Sequence, residues 1–170
     1  MNTVTAKIHN PGYSQARTYG IAALFVLGNI LLPQLCHLIP QGGATLLPIY
    51  FFTLVAAYKY GWRVGLLTAV ASPLVNYALF GMPGAAALPA ILFKSVVLAG
   101  AAGYTASRTR RVSLWLMAAV VLAYQTAGTA FEWALSGSLR EALQDFRLGV
   151  PGMLLQIAGG WAVIRFLLKK

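Results

Sequence analysis

The chain has almost no acid. Three Asp and Glu stand against 13 Lys and Arg in 170 residues, and charged residues of both signs make up only 9%. A soluble domain carries about 25% charged residues, so this sequence could not cover a water-facing surface. Three carboxylates also leave general acid–base chemistry with few candidates. Cysteine is as scarce: Cys36 alone excludes an intramolecular disulfide and any cage of several thiolates. Gly-x-Ser-x-Gly, His-Glu-x-x-His, a Walker loop and a paired acidic motif are all missing from the sequence. The expectation is a protein that is not an enzyme and carries no cofactor or metal of its own.

What fills the chain instead is apolar, at 59% of residues. The net charge of +10 invites a nucleic-acid partner. The basic residues, however, sit in short clusters between long apolar runs and not on one polar face, which argues for the lipid bilayer as partner and against nucleic acid. Membrane crossing needs about 20 mostly apolar residues, and six segments qualify: 18–35, 46–60, 64–80, 85–104, 114–136 and 148–168. The first apolar run follows a polar stretch of about 19 residues without a small-x-small cleavage site, so no cleavable signal peptide is expected.

Charge orients the spans. Lys7 and Arg17 precede the first; Lys59 and Arg63 flank the second connection; Arg108, Arg110 and Arg111 fill the fourth; Arg165, Lys169 and Lys170 close the chain. The alternate connections 36–45 and 81–84 hold no charge, and in 137–147 Arg140 and Arg147 are balanced by Glu141 and Asp145. Because positive charge stays on the cytoplasmic side, the expectation is an all-α integral membrane protein: one domain over residues 1–170, a bundle of six transmembrane helices, N and C termini cytoplasmic.

Small residues mark where helices approach closely in lipid. Gly61-x-x-x-Gly65-x-x-x-Ala69, Ala16-x-x-x-Gly20 and Ala99-x-x-x-Gly103 form such notches. Each is either internal packing or a docking surface for another membrane protein.

Polar groups inside a membrane are costly and face the protein interior. Lys94 falls near mid-span and Glu132 about one turn from the outer end of the fifth span. Lys94 can snorkel outward, so the two either pair or hold a charged ligand between them. Asn29, Asn76, Gln125 and Gln156 are also intramembrane, as helix-to-helix glue or as ligand contacts. The first outer connection, from Cys36 and His37 to Pro40 and the Gly42–Gly43 pair, is either a tight turn or a thiol and imidazole able to reach a metal centre. Tyr50, Phe51, Phe52, Tyr77, Phe80, Tyr124, Phe131 and Trp133 gather in the outer halves of the second, third and fifth spans. They form an interfacial belt or line an outward cavity for a flat ring.

These features, with the run Ser72-Pro73-Leu74-Val75-Asn76-Tyr77-Ala78-Leu79-Phe80-Gly81-Met82-Pro83, resemble the substrate-binding S components of energy-coupling factor transporters. The resemblance implies a binding subunit in the bacterial cytoplasmic membrane for a vitamin-class small molecule, leaning to cobalamin. Its implied partners are a transmembrane coupling subunit and separate ATPases. Lys94, Glu132, Trp133, Asn76, Tyr77, His37 and Cys36 are then the expected substrate contacts. Cys36 or His37 would be the ligand to a substrate metal, and Ala16 and Gly20 the coupling notch. The family's own coupling motif is Ala-x-x-x-Ala, from which Gly20 departs. The competing reading is a small structural or channel-like membrane subunit that binds no vitamin; copurification with a ligand separates the two.

Overall fold

The computed structural model describes residues 4–5 and 11–168. Of the charges behind the expected orientation, Lys7, Lys169 and Lys170 lie outside them. The chain runs β1 (Val4–Thr5), α1 (Ala16–Cys36), α2 (Gly42–Leu46), α3 (Pro48–Tyr60), α4 (Trp62–Phe80), α5 (Leu88–Thr109), β2 (Arg111–Val112), α6 (Leu114–Ser136), α7 (Leu139–Leu148) and α8 (Val150–Leu168). The architecture is all-α, and the two short strands pair antiparallel with Val4 opposite Val112.

Five helices, α1, α4, α5, α6 and α8, are long and apolar enough to cross a membrane. The expected span over 46–60 is divided instead. Leu47 sits at φ 49°, in the left-handed region that side chains rarely adopt, and separates α2 from α3. Pro48 then opens α3 at the first helical position, where a missing N–H breaks no intrahelical bond. With 13 residues α3 covers about 20 Å, short of a hydrocarbon core of ~30 Å.

This short helix is also the most enclosed. Leu54, Val55, Ala56, Ala57 and Tyr58 are fully buried, and glycines on three neighbours make the room. A Cβ on Gly65 of α4 would overlap the Ala57 side chain; one on Gly28 of α1 would stand 2.8 Å from the Phe52 ring; one on Gly160 of α8, 3.0 Å from Leu54. The notch through Gly61, Gly65 and Ala69 is therefore internal packing, buried along its length. Gly103 is likewise buried, against the backbone of Trp62. Ala16 and Gly20 differ: both are exposed, and a Cβ on Gly20 would meet nothing within 4 Å.

Polar ties hold the enclosed helix. Asn29 Nδ2 donates to Thr53 Oγ1 and to Ser72 Oγ, each at 3.0 Å, joining α1 to α3 and α4. The Phe52 N–H donates to Asn29 Oδ1 at 3.2 Å. At one end of the bundle Tyr58 Oη donates to the Arg111 carbonyl at 2.6 Å, and the Arg63 guanidinium lies 5.6 Å from the ring centres of both Tyr13 and Trp62. Between α6 and α8, where the sequence reads as a plain connection over 137–147, the chain forms α7. Its Ala142 is buried while Leu139 and Leu143 are half exposed.

Candidate functional site

At the end opposite Arg63 and Arg111 lies a cavity of about 320 Å³. Its wall is assembled from several elements. Pro33, Gln34 and His37 come from the end of α1, Leu47 to Tyr50 from the start of α3, Asn76 from α4, residues 82–84 and 87 from the α4–α5 turn, Ile91 and Lys94 from α5, and Glu132 from α6. Most of these side chains are apolar, with a few convergent polar groups, as in small-molecule sites generally.

The charged pair is positioned by a glycine. A Cβ on Gly128 would overlap Lys94 Cγ and stand 2.5 Å from Cε, so the lysine stem runs in the groove that glycine leaves on α6. Beside it Phe93 and Phe131 stack with ring centres 4.1 Å apart and fix the register of α5 on α6. From that groove Lys94 Nζ reaches Glu132 Oε1 at 2.7 Å. The lysine side chain is only 2% exposed and the glutamate 19%. A charge left in lipid costs at least ~2.5 kcal/mol on insertion scales; pairing across α5 and α6 avoids that cost.

Asn76 is oriented by its own donors. Its Nδ2 donates to the Asn29 carbonyl at 3.0 Å and to the Ser72 carbonyl at 2.9 Å, which fixes the amide where the residue borders the cavity. Tyr50 packs its ring against Tyr124, with centres 5.3 Å apart. Tyr124 Oη donates to Gln156 Oε1 at 2.9 Å, and Gln156 Nε2 donates to the Leu47 carbonyl at 3.5 Å. The left-handed break at Leu47, which shapes one wall, is thus backed by both α6 and α8.

Of the residues expected to touch substrate, Lys94, Glu132, Asn76 and His37 meet around this cavity. Tyr77 and Trp133 do not: they are 40% and 50% exposed on the outside of the bundle, at positions that suit the aromatic belt. Cys36 is buried and does not border the cavity, so only His37 of that pair lines it. Among the described residues no three His, Cys, Asp or Glu gather as a metal cluster. Sequence reasoning missed Gln34, Leu47 and the 82–84 turn as wall. The Leu47-Pro48 step inside an apolar run was the signal for the break.

No family model, curated protein or solved structure matches the chain. Fold and site together define a class: an all-helical, multi-pass membrane protein with a ligand-sized cavity at one end of its bundle.

Proposed function

We propose that this chain is the substrate-binding subunit of an uptake system for a vitamin-class micronutrient, an S component in the sense of energy-coupling factor transporters. In this reading it sits in the bacterial cytoplasmic membrane with both termini inside. The short, sheathed α3 completes the sixth crossing within the thickness made by its neighbours. The cavity then opens outward, and Ala16 and Gly20 face a transmembrane coupling subunit served by separate ATPases.

The observation that carries the proposal is the cavity itself, about 320 Å³ with a buried ion pair and an oriented amide in an otherwise apolar wall. That volume lies at the low end of the ~300–1,000 Å³ range of ligand pockets. It favours a compact vitamin over a corrin, so the cobalamin expectation gives way to a smaller molecule. A channel is not favoured on the α3 side, where Leu54 to Tyr58 beneath the cavity are fully buried.

The test is a thermal-shift screen of the purified chain in lipid nanodiscs against water-soluble vitamins and their precursors. A compact vitamin should raise the unfolding temperature of the wild type and leave Asn76→Leu or Lys94→Met/Glu132→Gln unshifted. A screen in which nothing shifts the wild type, with no small molecule copurifying, would sink the proposal.

A further inference from the structure

The chemistry of the ligand can be narrowed, on the assumption that the cavity is a binding site as proposed above. The two charges of the pair are unequally held. Lys94 is almost wholly buried, with its stem lodged against Gly128 so closely that even one methyl group there would displace it. Glu132 is the more exposed partner as a side chain, at 19% against 2%, although its Oε2 is buried. An entering molecule can therefore draw the carboxylate aside into water far more readily than it can expel the lysine.

A second, independent feature lies deeper in the same seam. Ser95 follows Lys94 on α5. Gln125, Gly128, Thr129 and Glu132 share one face of α6 by their spacing of three and four residues. Ser95 and Gln125 are fully buried, and Ser95 Oγ, both polar atoms of the Gln125 amide and Thr129 Oγ1 have no hydrogen-bond partner among the described residues. Buried polar atoms are normally satisfied. These four atoms, on Ser95, Gln125 and Thr129, add uncharged polar groups to the two helices that hold Lys94.

We infer that the cavity takes a small monocarboxylate, whose carboxylate replaces that of Glu132 at the Lys94 ammonium while Glu132 swings to the aqueous mouth. Exchange of one carboxylate for another conserves the charge count in a low-dielectric site, whereas removing one member of a buried pair does not. A neutral ligand has no ionic group to compete with the 2.7 Å pair, and a cation would have to drive Lys94 out of its groove. Glu132 in the empty protein is a built-in competitor, holding the place of the ligand's own acid group.

Competition of this kind lowers apparent affinity by the fraction of protein in the closed pair, so removing the competitor should tighten binding. The probes are nicotinate, pantothenate, biotin and lipoate, each set beside its primary amide, with thiamine as a cation. Binding is read by equilibrium dialysis on the full chain in nanodiscs. At least one acid should bind the wild type and its amide should not. Glu132→Gln, whose unfolding temperature is read in parallel because it leaves Lys94 a lone buried charge, should as folded protein bind that acid roughly tenfold tighter, and Lys94→Met/Glu132→Gln, which leaves no such charge, should lose it. Lys94→Arg should retain part of the affinity. An amide binding as well as its acid, or Glu132→Gln weakening the acid, overturns the inference. If thiamine or an amide alone binds, the carboxylate inference falls and the binding-subunit reading stands. If none of the probes binds any form, the carboxylate inference falls, and the binding-subunit reading is decided by the wider vitamin screen.

Discussion

Asn76 supplies the hydrogen bond that Pro33 withholds. In α1 the Asn29 carbonyl would ordinarily accept from the N–H four residues on, but that residue is Pro33, which has none. The side-chain Nδ2 of Asn76, reaching across from α4, donates to this carbonyl at 3.0 Å. A proline inside a membrane helix is tolerated where a neighbour satisfies the group it frees. Here the repair also aims a cavity residue, since Pro33 and Asn76 both border the site.

Asn76→Leu should therefore lower stability in detergent by about 1–3 kcal/mol, the cost of an orphaned buried acceptor. Pro33→Ala restores the intrahelical donor, so the same change in that background should cost clearly less. Thermal unfolding of the four proteins gives the coupling directly. Equal costs in both backgrounds would show that the bond does not carry this role.

Gly128 and Gly100 should respond in opposite directions to the same methyl group. Gly100 is exposed, and a Cβ there would meet nothing within 4 Å, so Gly100→Ala should gain up to about 1 kcal/mol from reduced chain entropy. Gly128→Ala pushes Lys94 from its groove and separates a buried pair, an expected loss of about 3–5 kcal/mol. Unfolding temperatures of the two variants check this, and only the second should lose ligand.

Docking should separate from binding. Gly20→Leu and Ala16→Leu add bulk to an outward face, so purified protein should bind ligand as the wild type does, while uptake by cells falls to background. Gly65→Leu, aimed into Ala57, should instead fail to accumulate as folded protein. Wild-type uptake by correctly inserted Gly20→Leu would remove the notch from the coupling surface.

Orientation can be read with a membrane-impermeant maleimide on intact cells, in a Cys36→Ala background. Arg140→Cys on α7 should label from outside, and Arg110→Cys only after lysis. Labelling of position 110 in intact cells would invert the proposed topology.

The five long helices were legible because each is an apolar run of near-membrane length between polar breaks. The meeting of Lys94 and Glu132 was legible for the same energetic reason, since two isolated charges in a membrane have few places to go. What stayed hidden depended on contacts distant in sequence. A run of apolar residues does not say that Leu47 turns left-handed, because the carbonyl it presents accepts from Gln156 on α8. Nor does it say which aromatic residues face inward: Tyr50 meets Tyr124 while Tyr77 and Trp133, of similar character, look out. The glycine stripe at Gly65 was recognisable as a close approach, but its partner, Ala57, is set only by how α3 and α4 fold back at Gly61.

The enclosure of α3 has a consequence for biogenesis. The helix is made well before α8, yet part of its sheath is α8. Leu54 is covered by Gly160, Phe51 by Gly159, and the Leu47 carbonyl meets its donor 109 residues downstream. Until α8 has been made, that flank of α3 is without its cover, and the carbonyl at Leu47 is without the Gln156 amide. α8 is thus the closing stave of the sheath, and a nascent chain stopped short of it leaves the Leu47 wall of the cavity without its backing.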